Sequence, residues 1–293
     1  MRICLVYDCL FPHTVGGAER WYRSLAERLV ADGHEVTYLT LRQWGRGEDA
    51  GVAGVDVRAV GPRMKLYTPA GRRRILPPLV FGAGVLLFLL RHGHRFDAVH
   101  TASFPYFSLL AAAVTRRRGR YRLVVDWHEV WMREYWAEYL GMLGGRLGWW
   151  VQMLCARVPQ RAFCFSRLHA GRLRELGLRG EVTLLSGEYD GPTSPPDEPV
   201  VPEPLVVFAG RMIPEKRAPA VVEAVAAARK QIPDLRAVII GSGPEREVVL
   251  RKVAELGLEG VVDVPGFIEP DEVQATLARA LCLLLPSRRE GYG

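Results

Sequence analysis

Short apolar runs alternate with amphipathic stretches along this 293-residue chain, and the alternation restarts after a proline-rich interruption. Few folds accept such a pattern. A strand that is apolar throughout must be covered on both faces, which calls for a parallel sheet with helical crossovers. Arg2–Tyr7 reads as the first strand. Gly17–Ala31 follows as a helix, because Ala18, Trp21, Tyr22, Leu25, Ala26, Leu29 and Val30 recur at spacings of three and four. Gly33 is placed to end that helix, and Glu35–Leu41 returns as a strand. Further strands are expected at 55–60, 97–101, 122–127, 162–166 and 182–185, with helices filling the gaps. After the interruption, strands are expected at 205–209, 237–240, 261–264 and 281–285, with helices over 218–230 and 245–256. The expected organisation is a domain over 1–186 with about seven strands, a Pro-rich linker over 187–204 and a partial four-stranded domain over 205–293. The expected fold class is α/β, two Rossmann-like doubly wound domains facing each other, the second incomplete.

Charge divides along the same line. Residues 1–190 carry 27 Lys/Arg against 17 Asp/Glu, net +10; residues 191–293 carry 12 against 15, net −3. The basic half predicts attraction to anionic lipid or to a phosphorylated acceptor. Nucleic acid is not expected as a partner: the arginines are dispersed and no helix-turn-helix, finger or RNA-binding signature is present. Ile75–Leu90 is uncharged, flanked by Arg72–Arg74 and Arg91, and shorter than the roughly 20 residues a spanning helix needs. It is expected to be a core helix or a monotopic membrane contact, with Leu79–Leu90 and the flanking arginines meeting the lipid. The five cysteines lack metal-ligand spacing, and Cys4, Cys164 and Cys282 fall in expected strands, which predicts buried thiols in a reducing compartment.

Four turns follow strand ends, where parallel sheets hold ligands. Gly16 and Gly17 stand between the first strand and its helix, where backbone N–H groups can approach a ligand. The turn is not Gly-x-Gly-x-x-Gly, which counts against a dinucleotide dehydrogenase. His128 follows the strand over 122–127, and no HExxH is formed because Met132 stands where the second histidine would be, so no metal is expected. Arg211 and Lys216 follow the first strand of the second domain, and two cations at such a position suit a diphosphate. Gly241 opens another glycine turn at a strand end.

In order and spacing these blocks resemble the family 4 (group 1) glycosyltransferases, of GT-B fold. The resemblance runs from Phe11-Pro-His-Thr-Val-Gly-Gly17 through Gly33-His-Glu-Val36, His128-Glu129, Gly210-Arg-x-x-x-Glu-Lys216, Gly241-Ser-Gly-Pro244 and Gly266-Phe267 to Pro286-Ser-x-x-Glu-Gly-Tyr-Gly293. It implies transfer of a sugar from a UDP-, GDP- or ADP-sugar to a lipid-linked, saccharide or small-molecule acceptor, retaining anomeric configuration and without metal or other cofactor. It implies Gly16 and Gly17 near the diphosphate and acceptor, and His128 on the donor sugar. Arg211 and Lys216 would hold the diphosphate; Gly241, Phe267 and Ile268 would lie near the nucleoside. Glu290 matches the first glutamate of a Glu-x7-Glu motif near the sugar, and Gly291 to Gly293 would begin a phosphate-binding loop. His128 and Glu290 are the residues assigned to the chemistry. The implied location is cytoplasmic, peripheral at the inner face of the plasma membrane, in cell-envelope or glycolipid synthesis. The motif's second glutamate would fall at position 298, beyond this sequence, so the second domain is expected to be incomplete and the 293 residues alone to transfer no sugar. The rival readings are a sugar-nucleotide epimerase of similar architecture and a non-catalytic binding module.

Overall fold

A computed structural model describes residues 1–45, 47–48, 50–68, 73–187 and 201–291. Most of the expected linker (187–204), Arg72 and Gly293 lie outside the described residues. The described residues group into two compact units, one built from 1–66 and 73–187 with Gly291, the other from 67–68 and 201–290.

The first unit holds seven strands: β1 (Arg2–Val6), β2 (Glu35–Leu41), β3 (Val55–Gly61), β4 (Ala98–Ala102), β5 (Arg122–Trp127), β6 (Arg161–Cys164) and β7 (Val182–Leu184). They form one sheet in the order β3-β2-β1-β4-β5-β6-β7, every pair parallel. Cys4, Leu5 and Val6 of the central β1 are fully buried, as a strand covered on both faces requires. Helix α1 (Gly17–Ala31) ends as its sequence predicts. Gly33 takes φ +79°, and the N–H groups of Gly33 and His34 return to the carbonyls of Val30 and Leu29. Helices α2 (Leu76–His92), α3 (Tyr106–Gly119), α4 (Arg133–Ala156) and α5 (Arg167–Glu175) complete the crossovers. Helix α2 has the length and apolarity of a membrane span, yet one face buries Phe81, Val85 and Leu89. Helix α4 is broken at Gly141, which leaves the helical region at φ 74°, ψ 175°.

The second unit holds β8 (Glu203–Ala209), β9 (Arg236–Ile240), β10 (Val262–Gly266) and β11 (Ala280–Leu283), parallel in the order β10-β9-β8-β11. Strand β8 explains its own uninterrupted Leu-Val-Val-Phe run. Val206 and Phe208 join a core with Val221, Val222 and Val225 of α6 (Ala218–Ala228) and Val249 of α7 (Arg246–Glu255). Leu205 and Val207 face the other way, toward Val273 and Leu277 of α8 (Pro270–Ala278). Helix α8 has no counterpart among the helices expected from the sequence. Its start signal is present all the same: Pro270 in the first turn with Asp271 and Glu272 beside it. The expectation of buried cysteines holds for Cys4 and Cys164 and fails for Cys282, which is exposed. Among the described residues β11 is an edge strand with β8 on one side only, and Leu281 and Leu283 are about half exposed with it.

Candidate active site

In each sheet the chain reverses its direction of travel once. In the second unit that point lies between β8 and β11, since β9 and β10 were laid down on the other side of β8. The loops leaving the carboxyl ends of two such strands part company, and the crevice between them is where parallel sheets hold ligands. Here the loop after β8 carries Arg211 and Lys216, and the segment after β11 carries Glu290. The two are tied together. The Arg288 N–H donates to the Glu215 carbonyl at 2.8 Å, and Lys216 Nζ donates to both carboxylate oxygens of Glu290 at 2.6 Å. About a quarter of each side chain is exposed, so the pair is sheltered while its charges still reach the surface. Residues expected to hold a diphosphate and a sugar are thus joined in one hydrogen-bonded ion pair. Arg211 is exposed at the end of β8.

The neighbouring turns are locked by backbone contact. Gly210 N–H donates to Ile240 at 3.0 Å, Met212 N–H to Ser242 at 2.9 Å, and Gly241 N–H to Gly266 at 2.7 Å. Gly241 adopts φ +122°, and a Cβ there would run into the Gly210 carbonyl. Glycine is therefore dictated by conformation and by space. Phe267, just beyond β10, is 72 % exposed and presents its ring outward. Ile268 instead packs on the small core of Leu205, Val207 and Ile240. Glu245, which stands at the start of α7 and was not singled out by sequence reasoning, has a buried Oε2 with no hydrogen-bond partner. Burial, and then the nearby charge of Glu215, raise its carboxyl above the usual value.

In the first unit the reversal lies between β1 and β4. Gly16 is the N-cap of α1 in extended backbone, so its φ does not demand glycine. A Cβ at Gly16 would collide with the buried Glu19 carboxylate, which folds back over it. A Cβ at Gly17 would meet nothing within 4 Å. Next to this turn Asp8 is fully buried and ion-paired with Arg73, and Arg73 also lies 5.3 Å from the ring centre of Phe104 after β4. Asp8 was legible only as the polar residue that stops β1.

His128 sits directly after β5. Its ring stacks on Phe165 at 4.6 Å and meets the edge of Tyr22 at 6.2 Å, while Tyr22 stacks on Tyr7 at 4.7 Å. Below it, the buried Asp126 carboxylate is bonded to His100 Nε2 at 2.8 Å and accepts from Trp21 Nε1 at 2.9 Å. Burial works against the ionised Asp126, but the charge and hydrogen bond of His100 outweigh it and hold its pKa below the usual value. His128 Nε2 is buried and lacks a hydrogen-bond partner. Burial lowers the His128 pKa despite the opposing pull of Asp126 and Glu129. The ring is therefore neutral near pH 7, with one nitrogen held dry. Gly291 groups with this unit, where a Cβ would approach the His128 carbonyl oxygen at 2.6 Å. Among the described residues no cluster of three His, Cys, Asp or Glu could hold a metal ion.

A depressed histidine has a stability signature. The unfolded chain protonates near pH 6.5, so stability from the neutral ring is present above about 6.5 and lost as pH falls toward the folded value. His128→Phe is expected to flatten the decline in unfolding free energy below about pH 6.5. Denaturant titrations across that range would show it, and parallel curves for the two proteins would refute it.

A family profile described as Glycosyltransferase Family 4 matches residues 15–187, more than half of the chain. The chain belongs to glycosyltransferase family 4. A second profile, Glycosyl transferases group 1, matches residues 194–293 of this family 4 chain. A GDP-mannose-dependent alpha-(1-6)-phosphatidylinositol monomannoside mannosyltransferase of Mycolicibacterium smegmatis is 34% identical over 91 residues, 31% of this chain and 24% of that protein. A 2-deoxystreptamine glucosyltransferase of Streptomyces kanamyceticus is 34% identical over 90 residues, 31% of this chain and 23% of that protein. The match thus spans about a quarter of these curated relatives' length. The fold is shared with sucrose-phosphate synthase of Thermosynechococcus elongatus, with TM-score 0.74, 18% identity, and coverage of 100% of this chain and 77% of that one. It is shared too with Anabaena HepE, solved with UDP and glucose, with TM-score 0.66, 17% identity, and coverage of 97% and 74%.

Proposed function

We propose that this family 4 chain carries the site of a metal-independent, retaining transferase that takes a sugar from a nucleoside diphosphate sugar. The observation that carries this reading is the Lys216–Glu290 pair at the strand reversal of the second sheet, with Arg211 on the same loop. A cation held by a carboxylate at that edge can neutralise a diphosphate leaving group while the carboxylate addresses the sugar hydroxyls. The donor belongs mainly to the domain over 205–293, with Phe267 and Gly241 beside the nucleoside and Gly291 and Gly293 on the phosphate. The acceptor, a lipid-linked, saccharide or small-molecule hydroxyl, belongs mainly to the domain over 1–186, near Gly16 and Gly17. His128 is the residue of the first domain assigned to the donor sugar. UDP and UDP-glucose complexes of HepE, and a complex of TarM with UDP and sugar ligands, support a nucleotide-sugar donor and a saccharide acceptor. A cytoplasmic chain resting on the inner face of the plasma membrane, serving envelope glycan or glycolipid synthesis, completes the reading.

Calorimetric titration of the chain with UDP, GDP and ADP, and then with UDP-glucose and GDP-mannose, tests it. Saturable binding of one nucleotide series is expected, and no binding to any of them would overturn the assignment.

A further inference from the structure

We infer that the outer face of α4 beyond Gly141 is a docking surface for anionic lipid. This deepens the peripheral-membrane part of the reading above by naming the element and the lipid chemistry. The inner side of the helix is fixed: Gln152, Cys155 and Ala156 are buried, and Gln152 Oε1 accepts from the Tyr106 hydroxyl at 2.9 Å. The outer side carries Leu143, Leu147, Trp150 and Leu154 at steps of four, three and four, with Met142 beside them. These five side chains are 57–82 % exposed. A stripe at that spacing normally faces a core, yet here the core contact is made by the opposite side of the same helix. Soluble proteins seldom leave large apolar side chains contiguous in water without a use for them.

Charge selects the occupant. From Tyr139 to Arg174 the sequence holds six arginines and no acidic residue. Two of them are exposed, Arg146 on the helix and Arg157 at its C-cap, four residues before and seven after Trp150, which places them on its face. Arginine stems can lie along apolar surface while the guanidinium meets phosphate, and tryptophan prefers the headgroup boundary. A second copy of the chain would bring the same positive charge against this one, since residues 1–190 carry a net +10. An anionic bilayer brings the opposite sign and needs no matching pocket. Helix α2, where the sequence placed the lipid contact, gives Phe81, Val85 and Leu89 to the core. Along its body the outward Leu79, Leu87 and Leu90 are less exposed than the α4 stripe, and only Ile75 and Leu76, at its start, match it.

Co-sedimentation of the full chain with phosphatidylcholine vesicles, with and without phosphatidylglycerol, tests the inference. Binding is expected to require phosphatidylglycerol and to weaken as salt rises. Leu147→Glu combined with Trp150→Glu is expected to lower partitioning by about tenfold or more, and the same change at Leu87 and Leu90 to lower it less. Arg146→Ala with Arg157→Ala, which leaves the apolar stripe intact, is expected to lower both the partitioning and its salt dependence, and keeps the test decisive should the glutamates disturb folding. Binding that ignores phosphatidylglycerol, or folded α4 variants of either kind that bind like the parent, would overturn the inference. So would a dimer in sedimentation velocity that the glutamates dissociate. Vesicle binding needs no sugar donor, so its failure and that of the transferase reading are separately visible.

Discussion

Lys216→Ala is expected to weaken nucleoside diphosphate binding by about 10- to 100-fold, the scale of losing a hydrogen bond to a charged group. Sugar transfer in any polypeptide carrying this site is expected to fall by about 10²–10³, as when a donor to developing charge is removed. Two effects combine. The cation is lost, and Glu290, held by Lys216 Nζ at 2.6 Å through both oxygens, loses that anchor. An anion left there without Lys216 repels the incoming diphosphate, so the variant is worse than a site that never had either group. Arg211→Ala should cost less. Arg211 is exposed, and ordering a long side chain consumes part of what its charge returns. Glu290→Gln separates the contributions, since it removes the negative charge and keeps the shape. Calorimetric titration of the three variants checks the ranking. Equal affinity in Lys216→Ala and the parent would remove Lys216 from the donor site.

Gly241→Ala is expected to destabilise the second unit by about 3 kcal/mol or more, combining backbone strain with a clash that cannot relax. The strain follows from φ +122°, outside the regions that L residues occupy at low cost. The clash is with the Gly210 carbonyl, whose carbon would lie 3.0 Å from the new Cβ. Gly210 cannot retreat, because its own N–H is bonded to Ile240 and the Gly241 N–H to Gly266. Gly257→Ala is the control. It has φ +61° with open space around it, so it carries only the left-handed penalty of about 1–2 kcal/mol. Chemical unfolding of both variants would decide the matter, and equal losses would mean that the turn is looser than its hydrogen bonds indicate.

The central strands were legible because burial on both faces writes itself as uninterrupted apolar sequence, as in Leu205–Phe208. Helix α1 was legible to the residue, since its stripe and its Gly33 stop are both local. Helix α8 was not picked out: only the buried Thr276 and the partly buried Val273 and Leu277 face inward, too thin an apolar stripe to stand out by period. In the site, Arg211, Lys216 and Glu290 could be named because each follows a strand end or a recognisable block. Their pairing could not, because Lys216 and Glu290 are 74 residues apart and meet only through the order of the strands. The Asp8–Arg73 and Asp126–His100 pairs were hidden for the same reason: a lone carboxylate at a strand end gives no sign of its partner. Cys282 misled because an apolar strand at a sheet edge has the same composition as one at its centre.

The carboxylate of Glu19 has one more consequence. A helix start is ordinarily a small reservoir of positive potential that draws phosphate. At α1 the helix brings its own anion to that position, folded over Gly16, and so the potential is spent internally. That turn and the loop after β8, which carries Arg211 and Lys216, are opposite in polarity. The one after β1 is discharged and hospitable to neutral hydroxyls in the open space beside Gly17. In the proposed donor site the positive charge comes instead from Lys216 and Arg211, on the loop after β8 of the second unit.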